Sequence, residues 1–373
     1  MELTATVPST SGEIQWKQLW SLVALYASVI IGWIAYYNYQ PILLHKYNFT
    51  DLTLFLFIAQ GIIMVVTPPI AGLLGDRFRK SKGNRLPIIS AGISAAAMVF
   101  MSVAFTLIMD PGETFKWILP ILIVFWLASM SIFTSPAIST IDLFAPANKL
   151  PRAMAIITIV YGALYALEPV IVDLVDFLGA PLTFVVGGVI TAGSGFLMKK
   201  NMGKSLDGIV TDVKKEDTKK SDYTYAFIVG LAFGISTTIL FNLFPNWLEP
   251  KIGHVFDVGS GVIISVVLFL SAVFSLPISR IVEKRPLYIS LLVSIVAIFA
   301  IIFAIYFVES SYLTLALLLL FSFFYSMVSV CGLPLALSVI NDKNKVFGVG
   351  IFFAGFELPN GILEAILVAQ GLY

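Results

Sequence analysis

Apolar residues run through this chain in eleven long stretches: 19–41, 52–74, 86–109, 116–141, 152–176, 180–198, 223–248, 258–279, 286–308, 311–340 and 346–370. Each is about as long as the roughly 20 residues a helix needs to cross the hydrocarbon core of a bilayer. The pattern predicts eleven transmembrane helices, numbered here spans 1 to 11, and an all-α integral membrane protein. Composition agrees. Hydrophobic residues make up 58% of the chain and charged ones 12%, against about 25% charged in a soluble domain.

The basic residues sort between alternate gaps. Lys17 precedes span 1. Arg77, Arg79, Lys80, Lys82 and Arg85 follow span 2, and Lys149 and Arg152 follow span 4. Seven lysines (199, 200, 204, 214, 215, 219 and 220) follow span 6. Arg280, Lys284 and Arg285 follow span 8, and Lys343 and Lys345 follow span 10. The opposite gaps hold only Lys46, Lys116 and Lys251, so 20 of the 23 basic residues share one side. Positive charge stays cytoplasmic, which puts the N-terminus inside a cell (inner) membrane. The first 18 residues are mostly polar, without the pattern of a cleavable signal peptide. The net charge of +1 carries no message about nucleic acid, since these residues are topology signals. Cys331, the one cysteine, lies inside span 10 and reads as a small packing residue.

The chain repeats itself at an offset near 200 residues. Asn38 to Pro41 matches Asn242 to Pro245, Asp51 matches Asp257, and Pro69-Ile70 matches Pro277-Ile278. Arg85 to Ser90 matches Arg285 to Ser290. Ser129-Met130, Pro136 and Ser139 match Ser326-Met327, Pro334 and Ser338, and Glu168-Pro169 matches Glu357 with Pro359. Six matches in one order define a six-helix unit in two copies of the same orientation, a parallel repeat about an axis along the membrane normal. The predicted organisation is an N-terminal bundle (1–198), a polar and mobile cytoplasmic linker (199–222) and a five-helix C-terminal bundle (223–373). Gly371 corresponds to Gly179 just before span 6, so the sequence ends where a twelfth span would begin. Either the chain is truncated there, or eleven spans suffice and the C-terminus faces outside. In the second case, the surface of the missing helix meets lipid or another subunit.

The gap after span 2 reads Gly72, Gly75, Asp76, Arg77, Arg79 and Lys80, then Gly83 and Arg85. With the duplicated topology, this motif resembles the major facilitator superfamily. Its longer form, ending in Pro87, is similar to the sucrose and glycoside-cation symporter branch, although Gly83-Asn84-Arg85-Leu86-Pro87 stands where that branch has Gly-Arg-Arg-Arg-Pro. The resemblance implies a major-facilitator-type fold, transport by alternating access, and a central cavity lined by spans 1, 4, 7 and 10. Physically, Asp76 is placed to meet the positive N-terminal end of span 11 at Lys345-Val346. Arg77 or Arg79 is placed to pair with Asp142. Such contacts would latch the inner face and open with it. The bland alternative is that these charges only set topology.

Charges inside spans are costly and usually functional. No lysine or arginine lies there. Glu168, Asp173 and Asp176 lie in span 5, and Glu357 and Glu364 in span 11. Asp173 and Asp176 read as a hydrated helix end. Glu168 and Glu357 are deeper and correspond in the repeat. Tyr161, Tyr165 and Glu168 share one helical face, as do Glu357, Asn360, Gly361 and Glu364. A carboxyl that is neutral when enclosed without a cation and ionises when water reaches it is what proton or cation coupling needs. The alternative is a glutamate permanently protonated against a neighbouring helix.

Without interior cations an anionic solute has no partner, so a neutral or cationic small molecule is expected. Trp33, Tyr37, Asn38, Tyr165, Asn242, Asn246 and Tyr325 are the candidate contacts. Aromatic plates with amides and hydroxyls suit sugars, although Tyr and Trp near helix ends also form interfacial belts. Asn38 and Asn242 each precede a proline by three residues, where a bend could act as an outer hinge. His45 and His254 are too few for a metal site. There is no phosphate-binding loop for ATP and no nucleophile–base pair, so neither a cofactor nor an enzyme is indicated. The sequence therefore reads as a secondary transporter driven by a proton or cation gradient. Proton-coupled uptake of a sugar or similar neutral solute comes first. Proton-driven export of a cationic or amphipathic compound is second, and a transport-inactive receptor or assembly protein third. A monomer is expected, with an oligomer open at the missing-helix surface.

Overall fold

The computed structural model describes residues 12–109, 112, 116–206, 220–253 and 259–371. Of the linker expected over 199–222, residues 207–219 lie outside the described residues, as do His254 and Asp257. Helix accounts for nearly all of the rest, and no strand occurs among the described residues. The crossing elements are α1 (Trp16–Lys46), α2 (Thr53–Lys82), α3 (Leu86–Ile108), α4 (Ile118–Ile138), α5a (Leu150–Ala166), α5b (Glu168–Leu178) and α6 (Ala180–Leu206) in the first half. The second half has α7 (Tyr223–Thr238), α8 (Ser260–Val282), α9 (Leu287–Phe307), α10 (Ser311–Ser338) and α11 (Lys345–Ala369). Among the described residues ten helices are long and apolar enough to cross a membrane, and the bent pair α5a and α5b, taken as one span, brings the number to eleven. Large apolar side chains such as Phe105, Phe177 and Phe303 are exposed on the outer surface, as lipid-facing positions require.

Two helices depart from the regular course their apolar runs predict. Span 5 is not one helix. It breaks at Leu167 and bends by 59°. Pro169 has no N–H to give, and its ring crowds the carbonyl four residues back. The N–H of Leu167 closes α5a on Ala163 O at 3.0 Å, and Glu168 opens the next segment. Beyond Thr238, α7 widens into π turns over Ile239–Leu243 and Glu249–Gly253, with Phe244–Leu248 between them. Pro245 and Pro250 each remove a backbone donor there, and π turns absorb the mismatch. In contrast, α1, α2, α4, α8, α10 and α11 continue through their internal prolines.

Two seams join the halves. In one, α2 and α11 pack backbone to backbone along their length. A Cβ on Gly61 would stand 3.2 Å from Gly361 Cα, and one on Gly72 would stand 2.6 Å from Phe347 Cα. In the other, α5a meets α8: a Cβ on Gly162 would stand 2.7 Å from Leu268 O, and Ser275 Oγ donates to Ala155 O at 3.3 Å. Within the second half, α11 is pressed onto α7, where the carbonyls of Phe352 and Phe356 abut Gly230 and Gly234. Only glycine leaves room for approaches this close.

Candidate functional site

Between the halves lies a cavity of about 320 Å³. Side chains of α1, α2, α4, α5, α7 and α11 line it. The expected contribution of span 10 is absent, while α2, α5 and α11 take part. The reason is packing. Tyr325 is buried behind the wall, its hydroxyl 3.1 Å from Thr237 Oγ1. Lower down, Ser329 Oγ and Thr158 Oγ1 share a hydrogen bond of 2.9 Å between α10 and α5a. Tyr325 therefore backs lining residues and does not face the cavity.

Of the other candidate contacts, Trp33, Tyr37, Tyr165 and Asn242 line the cavity. Asn38 and Asn246 do not. Asn38 Nδ2 donates to Asp176 Oδ1 at 2.9 Å on the exposed end of α5b, and Asn246 is exposed at the end of α7. Both follow their helices past the polar layer, toward the face opposite the basic gaps.

Glu168, Glu357 and Glu364 all line the cavity. Glu168 stands in the first turn of α5b, at the break. Glu364 is the best bonded: Gln60 Nε2 donates to its Oε2 at 3.0 Å and Asn360 Nδ2 to its Oε1 at 2.9 Å. Tyr36 OH donates to Gln60 Oε1 at 2.8 Å. Asn242 Nδ2 donates to Asn360 Oδ1 at 2.9 Å. One polar chain thus runs from α1 through α2 and α11 to α7, across both halves. The neighbour of Glu364 is α2, through Gln60. A single amide in the middle of an otherwise apolar span is the sequence signal for this contact. Tyr26, which also lines the cavity, gave no signal among so many aromatic residues.

At the ends of the helices that carry the basic gaps, here the basic face, Asp76 is buried and accepts from Phe347 N–H at 2.9 Å and Val346 N–H at 3.3 Å. These are two of the free donors at the start of α11. Asp142 does not pair with Arg77 or Arg79. Its partners are Arg85, at 3.5 Å, and Lys345, at 3.2 Å. Arg77 lies on the exposed side of α2, and Arg79 donates to the carbonyl oxygen of Asp342. Buried Arg85 also donates to Ser139 O at 2.8 Å, because the start of α3 faces the end of α4. Gly72 lies one turn before Asp76, where a side chain would strike α11.

The family model of the Major Facilitator Superfamily matches residues 4–169 and 117–362. Solved structures share the fold. The human organic anion transporter MFSD10 (TETRAN) superposes with a TM-score of 0.71 at 11% identity, over 96% of this chain and 95% of that one. A bacterial homologue of the iron transporter ferroportin in its outward-facing state gives 0.67 at 14%, over 96% and 92%. The structure with soaked iron gives 0.64 at 15%, over the same shares. No curated protein matches the chain. The chain belongs to the Major Facilitator Superfamily. It is a multi-pass membrane protein and a secondary transporter, not an enzyme.

Proposed function

We propose that this Major Facilitator Superfamily member is a proton-coupled carrier of cationic or amphipathic small molecules. It would work by rocking an N-terminal bundle (1–198) against a C-terminal bundle (223–373), joined by 199–222. The cavity lining carries this reading. Glu168, Glu357 and Glu364 face it among aromatic rings, with no lysine, arginine or histidine in the wall. A carboxyl that takes either a proton or a cationic solute exchanges one for the other. An inward proton gradient then drives the solute out. An organic anion, the cargo in the name of MFSD10, would find no partner here. Iron, named for the ferroportin homologue, needs convergent ligands, and among the described residues no three His, Cys, Asp or Glu side chains converge.

Asp76 on α11 and the Arg85–Asp142–Lys345 cluster act in this reading as the latch on the basic face. They join α2, α3 and α4 to α11 and break when that face opens. The basic face is cytoplasmic by the charge rule, in the inner membrane of a cell, and the working unit is a monomer. Uptake of a neutral solute such as a sugar is the second reading, favoured by the hydroxyls of Ser131, Thr134 and Thr237 on the wall.

Purified protein in vesicles with an imposed pH gradient tests these readings. Extrusion of cationic dyes supports the first, and sugar uptake from an acidic exterior the second. No flux of any solute would mark a transport-inactive protein. Glu168→Gln should abolish gradient-driven accumulation yet keep exchange of bound solute. High-affinity transport of a di- or tricarboxylate would refute both readings.

A further inference from the structure

The three cavity carboxyls have different surroundings, and the difference assigns them different work. Glu364 is buried, and each of its oxygens already accepts a hydrogen bond, from Asn360 and from Gln60. Two side-chain amides already hold it in place. Glu168 stands in the first turn of α5b, where free backbone N–H groups offset part of its charge. Its neighbours Leu167 and Val170 are exposed. Glu357 lies in the middle of α11, far from either helix end. Among the described residues no hydrogen bond or ion pair reaches it, and it faces the cavity. Tyr26 and Tyr165 line the same cavity. Tyr165 also packs on Tyr161, with ring centroids 4.8 Å apart, and on Phe241, at 5.2 Å.

We infer that Glu357 is the counter-charge for the transported molecule, and that this molecule is a monovalent ammonium ion bearing an apolar or aromatic group. Its head lies between Glu357 and the rings of Tyr26, Tyr161 and Tyr165. This rests on the carrier reading above and names the substrate class for the same cavity.

The argument is one of compensation. A carboxylate enclosed without a partner is strongly disfavoured, so Glu357 requires either a proton or a cation from outside. Glu357 by itself balances one positive charge, which matches a monovalent ion. An alkylated ammonium sheds its water easily and is attracted to ring faces, each well-placed ring strengthening binding by roughly 2- to 30-fold. A cavity of about 320 Å³ sits at the small end of ligand pockets and suits a single-ring compound.

The probe is benzyltrimethylammonium, which has one ring, a fixed charge and no proton to lose. Calorimetry on the full-length protein in detergent should show saturable binding. Glu357→Gln should weaken it at least 10-fold, whereas Asp173→Asn, on the exposed side of α5b, should change it by less than threefold. A second measurement covers a Glu357→Gln variant that fails to fold. On the wild-type protein a hydrophobic carbodiimide is located by peptide mass spectrometry, and the probe should protect Glu357 but not Glu168. Equal affinity in Glu357→Gln, or no protection at Glu357, overturns the assignment. If either occurs while the pH gradient still drives cationic dyes out, only the role of Glu357 falls. If sugars move and no ammonium compound binds, the carrier reading for cations falls with it.

Discussion

Alanine at Gly72 would put a methyl group 2.6 Å from both Phe347 Cα and Val346 O, and 2.9 Å from the Phe347 nitrogen. These are backbone atoms, so no side-chain rotation relieves the overlap. Carbon atoms pack at about 3.5–4.0 Å, so α2 and α11 must part by about 1 Å at this crossing. One turn further on, Asp76 holds Phe347 N–H at 2.9 Å and Val346 N–H at 3.3 Å. The same displacement carries both beyond hydrogen-bonding distance. Overpacking contributes about 1–3 kcal/mol, and a buried hydrogen bond to a charged group about 1.5–3 kcal/mol. Water entering the parted seam returns some of this, leaving a net of about 2–4 kcal/mol against the closed basic face. Each 1.4 kcal/mol is tenfold, so the population open on that face should rise roughly 30-fold to several hundred-fold. The assay uses a Cys331→Ala background with Ser135→Cys in the cavity wall and a membrane-impermeant thiol reagent on the basic side. Gly193→Ala is the control, because a Cβ there meets nothing within 4 Å. Labelling should accelerate for Gly72→Ala alone. If Gly72→Ala labels at the control rate and melts at the wild-type temperature, the seam is not a latch.

Three further outcomes are expected. Gln60→Leu removes one of the donors to the Glu364 carboxylate and the amide oxygen that accepts from Tyr36 OH, a loss of about 1–3 kcal/mol that scanning fluorimetry should record as a drop of several degrees. Asp142→Asn leaves buried Arg85 without its counter-charge and should destabilise by about 3–5 kcal/mol. Adding Arg85→Leu should recover part of that, and a purely additive double variant would show that the two do not interact. Lys251 Nζ donates to the carbonyls of Ile305, Tyr306 and Val308 at the end of α9, at 2.5, 2.9 and 2.8 Å. Lys251→Met should weaken that end by about 0.3–2 kcal/mol, seen as faster amide exchange around 305–308 with transport unchanged.

The crossing helices were legible because a bilayer imposes one length on every apolar run, and the sorted lysines and arginines gave their alternation. The position of Asp76 beside the start of α11 followed from the free N–H groups at a helix start, which attract a carboxylate from any neighbour. Choice among similar cations was not legible. Arg77 and Arg79 differ in helical phase on α2, Arg85 opens α3, and which of them meets Asp142 depends on where Gly83 turns the chain, with φ of 80°. The break at Leu167 lay hidden in an apolar run, since seven other prolines sit inside helices that continue. The cavity wall was legible for the acids, whose burial demands an explanation, and poorly legible for the aromatics. Trp33 and Tyr37 face inward, whereas Tyr325, equally plausible by composition, is sealed behind Thr237.

The two glutamate–proline pairs that correspond in the repeat have taken different shapes. Just before Glu168 the chain turns sharply; around Glu357 it runs on as unbroken helix through Pro359. A machine built from matching halves therefore has its joint in one of them only. Motion that carries solute across would be a swing of the jointed side past a stiff spar, so equivalent substitutions in the two copies should not have equivalent effects.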